Sequence, residues 1–169
     1  MFVSPISRYS IIIGKILGEA LVALPQAGAI LAFALIVGIR ASPAQFVGLA
    51  IAGALICLLG GAFGVLVLSN LSSQEMAGQI FTFVMLPQFF LAGIFNPIKV
   101  LPWYLNILSR ISPMRYAVDL GRSAFYAGSP ESARTVLDPP ALDLAVMAAM
   151  FAVFLLVGTA LFVRNERNR

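Results

Sequence analysis

The sequence predicts an all-α integral membrane protein: four transmembrane helices plus two short outer helices that re-enter the membrane or lie at its surface. Three observations carry this. The 169 residues are 60% hydrophobic and only 11% charged, with a mean hydropathy of +0.97, where a soluble domain carries roughly a quarter charged residues. The apolar residues fall into runs near the ~20 needed to cross a bilayer as a helix. The segment between the last two runs is too charged to span and too aromatic to be a free loop. The chain reads as one transmembrane domain, 1–169, with spans at about 11–39, 46–69, 79–95 and 142–163 and an outer helical segment at 97–128.

The first run is uncharged from Ala20 to Ile39. Arg8, Lys15 and the small-residue triplet Ala27-Gly28-Ala29 imitate a signal peptide. The run continues past that triplet to Ile39, beyond the ~7–15 residues of a signal h-region, so a spanning helix is favoured. The second run is uncharged from Phe46 to Leu68. The third is short, contains Pro87, and reaches spanning length only if Thr82, Gln88 and flanking residues are counted. The fourth is uncharged from Leu144 to Val163.

Between the third and fourth runs the chain breaks at Asn96-Pro97, and two short helical patterns follow, each opened by a proline. One starts near Pro102 and carries Trp103, Tyr104, Leu105, Ile107, Leu108 and Ile111. The other has Ser112 as its cap and Pro113 at its first position, and stops at Gly128. A capping serine accepts an orphan N–H, proline has none to satisfy, and glycine is the usual stop. Gly93, Pro97, Pro102 and Pro113 punctuate the expected re-entrant turn.

Composition excludes several chemistries. Without histidine the commonest metal ligand and general base is missing. The single Cys57 sits within an apolar span, so the chain has no disulfide framework of its own. A pI near 9.7 suits nucleic acid, but the basic residues flank apolar spans, which fits a lipid bilayer instead. No paired carboxylates or nucleophile–base spacing stands out at depth, so an enzyme is not expected.

Positive charge sets the orientation. Four spans put both termini on one side, with Arg8, Lys15, Arg164, Arg167 and Arg169. The other side holds Arg40, Lys99, Arg110, Arg115, Arg122 and Arg134. Long segments translocate largely regardless of charge. Setting aside the Asn96–Pro140 segment leaves five charges against one, so both termini are expected in the cytoplasm and that segment outside.

Several residues stand out. Lys15 and Glu19 share a helical face and read as an ion pair near the interface, with the lysine snorkelling; the alternative is a functional intramembrane carboxylate. Gly14/Gly18 and Gly60/Gly64, with Gly61 between the latter, permit close helix contact. Pro25-Gln26 and Pro87-Gln88 read as kinks with internally bonded glutamines. Arg115, Asp119 and Arg122, four and three apart, fall on one face. The expectation is a partly buried structural cluster in which the aspartate holds one or both arginines.

Three pieces resemble the membrane subunits of type-2 ABC exporters, which move drugs, lipids or polysaccharides. SPISRYSIIIGKIL, Ser4 to Leu17, is similar to the family segment entering the third membrane helix. FLAGIFNPIKVLPWYLN, Phe90 to Asn106, resembles the end of the fifth helix and its outer re-entrant turn. SPMRYAVDLGRSAFY, Ser112 to Tyr126, resembles the second outer helix. The resemblance covers essentially the whole chain but only the later two-thirds of a typical member. The first two membrane helices and the coupling helix between them have no counterpart here.

The resemblance implies a multi-pass permease subunit, or the C-terminal part of one, in the plasma (inner) membrane. It would pair with a second permease subunit, the same or different, and with a separate ABC ATPase subunit. Pro5, Arg8, Lys15 and Glu75 would couple to that ATPase. The chain itself would use no cofactor, ATP being spent by the partner, and it carries no G-x-x-x-x-G-K-[ST] phosphate loop. The competing reading is a small membrane scaffold or assembly protein without transport activity.

Overall fold

In a computed structural model the described residues are 8–68 and 74–167. They form helices α1 (Arg8–Ile36), α2 (Pro43–Leu68) and α3 (Gln74–Leu91), and a 3-10 turn at Ile98–Val100. Helices α4 (Trp103–Ser109), α5 (Pro113–Phe125), α6 (Ser132–Thr135) and α7 (Pro140–Arg167) follow. No strand occurs among the described residues. Among the described residues three helices are long and apolar enough to cross a membrane, over Ser10–Ile36, Pro43–Val67 and Pro140–Leu161. At a rise of about 1.5 Å per residue each exceeds the ~30 Å of hydrocarbon. The expected fourth span is the shorter α3, apolar over Gly78–Leu91.

Helix α2 is the centre, packing against α1, α5 and α7. Its small residues explain why. Ala62 is fully buried and Ala52 nearly so, and a methyl or nothing at these positions lets neighbouring backbones close in. Toward α1, Ile12, Ile16, Ala62 and Val65 form one buried cluster. On α1 the stripe Ile12, Ile16, Ala20 is buried and continues half-buried through Ala23, Ala27, Leu31 and Ala34. Steps of three and four residues are those of a single helical face. Leu21, Val22 and Phe33, off this stripe, are exposed and suit lipid.

The glycine motifs divide. A Cβ at Gly61 would sit 3.3 Å from the Ile16 carbonyl oxygen, and at Gly64 3.5 Å from Glu19 Oε2, so this pair is where α1 meets α2. Gly14, Gly18 and Gly60 face open space. On α7, a Cβ at Gly158 would lie 3.4 Å from the Leu66 backbone. The expected Lys15–Glu19 ion pair does not form. Lys15 is exposed, while Glu19 is half-buried with its Oε2 against Gly61 and Gly64 of α2.

Both prolines lie inside unbroken helices, Pro25 in α1 and Pro87 in α3. Their glutamines differ: Gln26 is exposed, whereas Gln88 is buried and its Oε1 accepts a 3.4 Å bond from Ser112 Oγ. Only the second glutamine is internally bonded as expected. The same bond corrects the cap. Ser112 stands at the N-cap of α5 with Pro113 at N1, but its hydroxyl makes no capping bond, because it is turned toward Gln88.

Helix ends also differ from the expected bounds. The third run stops as helix at Leu91 rather than Phe95, because Gly93 takes φ +73 and the chain turns away. The first outer helix ends at Ser109, before Ile111, and the second at Phe125, before Gly128. Helix α5 is not a surface lid. Its Tyr116, Ala117 and Leu120 join Ala52 and Leu59 of α2 and Met147 of α7 in one buried cluster.

Candidate functional site

The start of α2, the end of α3, all of α5 and the start of α7 meet at one end of the bundle. Hydrogen bonds tie them. Ser42 and Gln45 form a reciprocal capping box at the start of α2, Ser42 N donating to Gln45 Oε1 at 2.8 Å and Gln45 N to Ser42 Oγ at 3.3 Å. The free Gln45 Nε2 then donates to the Phe125 and Ala127 carbonyls at 2.7 and 3.2 Å, holding the last turn of α5. Arg122 Nη2 donates to the Gly93 carbonyl at 2.7 Å, pinning the turn after α3 to α5.

That turn needs its glycine. Gly93 has φ +73, and a Cβ there would come within 2.8 Å of Ile98 Cγ1. Pro97 and Pro102 follow as N-cap residues of the 3-10 turn and of α4. The four residues expected to punctuate this segment, Gly93, Pro97, Pro102 and Pro113, all sit at its element boundaries.

Arg115, Asp119 and Arg122 do lie on one side of α5, but they do not pair with one another. Asp119, 1% exposed, accepts from two backbone N–H groups, Leu137 N at 2.9 and 3.0 Å and Asp138 N at 2.8 Å. Arg115 instead bridges Asp138 at 3.2 Å and donates to Ser109 Oγ at 2.8 Å. The expected Asp119–arginine pairs are therefore corrected: the strand of chain entering α7 brings backbone donors to the aspartate. Those donors satisfy a buried carboxylate without an ion pair.

Sequence reasoning missed the acidic half of this hub. Asp138 and Asp143 bracket Pro139-Pro140 at the mouth of α7. Oxygens from Asp119, Asp138 and Asp143 lie within 4.8 Å of one another. Asp143 is fully buried, and neither of its carboxylate oxygens has a hydrogen-bond partner. The available signal was a pair of aspartates around a double proline immediately before an apolar span. Acids at that depth are rare without a role.

The residues expected to couple to an ATPase are spread differently. Pro5 lies outside the described residues. Arg8 opens α1 and Glu75 stands in the first turn of α3, while Lys15 is exposed on α1. The structure gathers none of these last three into the hub. Between α2 and α7 lies a cleft of about 430 Å³, lined by Leu55, Leu59, Leu144, Met147 and Phe151 among others, and almost wholly apolar.

Compared with known proteins, residues 1–126 match the family model for the ABC-2 type transporter membrane domain. The chain belongs to the ABC-2 type transporter family. The ABC-2 chain is also 32% identical over 134 residues to the probable multidrug ABC transporter permease YbhR of Escherichia coli K12, and equally to that of Escherichia coli O157:H7. The match covers 74% of this chain and 34% of each relative, so the chain spans about a third of the length of those curated relatives. The matched family segment ends at Tyr126, within the turn after α5. The acidic approach to α7 lies beyond it. The ABC-2 chain is thus a multi-pass membrane protein of a transporter family.

Proposed function

We propose that the chain is a permease subunit, or part of one, of an ATP-driven ABC exporter in the plasma membrane. The family match over residues 1–126, laid on three long apolar helices packed around α2, carries this reading. The cargo class favoured is a drug-like or lipidic molecule, given the multidrug permease of Escherichia coli that the chain resembles and the apolar cleft between α2 and α7. Clefts of a few hundred Å³ with apolar walls suit such molecules. ATP is hydrolysed by a partner ABC ATPase, and a second permease subunit, the same or different, completes the pathway. The single transmembrane domain has α3 as its fourth span and both termini in the cytoplasm. Pro5, Arg8, Lys15 and Glu75 then lie on the side where the ATPase docks.

The test is paired. The purified chain should show no ATPase activity by itself. Photo-crosslinkers placed at Pro5, Arg8 and Glu75 should capture the cognate ATPase in assembled membranes. Cells with both should retain less of a fluorescent cationic dye than cells whose ATPase has lost its phosphate-loop lysine. An assembled complex with no crosslink at any of these positions and no ATP-dependent change in dye retention would sink the exporter reading.

A further inference from the structure

The mouth of α7 presents a chemistry that transport does not explain. Asp119 comes from α5, Asp138 from the segment before α7, and Asp143 from the first turn of α7. Their oxygens converge within 4.8 Å. Asp119 is 1% exposed and Asp143 0%. A buried carboxylate with no donor is among the costliest arrangements a protein interior holds. Asp143 has two such oxygens, and one of them lies within 4.8 Å of an oxygen from each of two further acids. One cation is already nearby: Arg115 bridges Asp138 through Nη2, but its Nε is itself buried without a partner. Three carboxylates against one guanidinium leave two negative charges in excess.

We propose that Asp119, Asp138 and Asp143 hold one divalent cation of calcium's size, locking α5 to the start of α7. The charge matches, since one such ion cancels the excess. The ligand type matches, since calcium takes carboxylate oxygens at about 2.3–2.6 Å and so touches oxygens up to about 5 Å apart, whereas magnesium at about 2.1 Å reaches only about 4.2 Å across. The donors are present. Asp143 offers an oxygen that no hydrogen bond occupies. Asp138 offers Oδ1, its Oδ2 being taken by Arg115, and Asp119 Oδ1 has a lone pair beyond its bond from Leu137. Water completes a shell of 6–8. A route in exists through Asp138, whose side chain is 29% exposed while its neighbours are shielded. The Asp119 carboxylate is already oriented by the Leu137 and Asp138 N–H groups, as ligating carboxylates commonly are.

The experiment uses the full chain in detergent, stripped with EDTA and dialysed. Isothermal titration with CaCl2 should show one saturable site per chain, and the same titration should raise the melting temperature by several degrees. MgCl2 should give a smaller rise at equal concentration. Asp143→Asn should abolish the calcium-dependent rise while melting no lower than the parent in EDTA, because it removes a like charge that has no partner. Asp138→Asn, at the rim, gives a second reading and should weaken calcium binding at least tenfold. Glu131→Gln, an exposed acid outside the cluster, should bind as the parent does. The proposal fails if calcium neither binds nor shifts melting, or if the rise survives in Asp143→Asn. It fails equally if acidification in EDTA stabilises the parent while calcium does not, which would mean a shared proton. An Asp143→Asn variant that melts well below the parent in EDTA and shows no calcium response in either form would assign Asp143 to Arg115 instead.

Discussion

Replacing Gly93 by alanine isolates what the turn after α3 demands. Two costs arise at once. Gly93 has φ +73, a left-handed conformation that an alanine adopts at roughly 1–2 kcal/mol. Its new Cβ would stand 2.8 Å from Ile98 Cγ1 and 3.3 Å from the Asn96 carbonyl oxygen. Ile98 is 2% exposed, so it has little room to retreat, and overpacking of this kind costs about 1–3 kcal/mol. Together they give about 2–5 kcal/mol, or roughly a 30- to 4,000-fold change in the unfolding constant. Reversible unfolding in mixed detergent–SDS micelles, followed by far-UV circular dichroism, reads this directly. A cycle with Ile98→Ala separates the two costs. The double variant should recover the steric part and keep the conformational one, since removing the isoleucine frees space but leaves φ unchanged. Gly78→Ala is the control: it lies in α3 with nothing within 4 Å of its Cβ and should be neutral or stabilising by up to about 1 kcal/mol. A Gly93→Ala protein within about 0.5 kcal/mol of the parent, or a cycle with no coupling, would refute this account of the turn.

Three further outcomes are expected. Asp119→Ala leaves the Leu137 and Asp138 N–H groups without their acceptor and should cost about 2–5 kcal/mol in the same unfolding assay, with Asp119→Asn roughly half as costly; melting equal to Ser129→Ala would mean the carboxylate is solvated. Gly61→Leu should push α1 off α2 and cost about 1–3 kcal/mol, while Gly60→Leu, which faces open space, should be tolerated; equal effects of the two would contradict the glycine contact. In a Cys57→Ser background, single cysteines at Ser42 and Ser129 should label from outside intact cells and one at Ser73 only after permeabilisation, the reverse pattern inverting the proposed orientation.

By itself the sequence determined the class, the long helices and the breaks between them. Those follow from composition and run length, because a backbone in hydrocarbon must satisfy its own hydrogen bonds and so becomes helix wherever the apolar run is long enough. The punctuation was equally local: Gly93, Pro97, Pro102 and Pro113 mark boundaries in the structure because φ preferences belong to single residues. The family pattern in Phe90–Asn106 and Ser112–Tyr126 was legible for the same reason. Partnerships were another matter. Helical spacing placed Arg115, Asp119 and Arg122 on one face and invited pairing among them, yet each found its partner elsewhere, at Asp138, at the Leu137 and Asp138 amides, and at the Gly93 carbonyl. Ser112 turned from its own helix to Gln88, and Glu19 from Lys15 to the glycine face of α2. Spacing along a helix says which side chains share a face but not what packs against that face. Only the tertiary structure decided that Gly61 and Gly64 rather than Gly14 and Gly18 form a close contact, and that α5 sinks between α2 and α7. It alone brought Asp143, 24 residues beyond Asp119, into the same buried cluster, because that requires α7 to return beside α5.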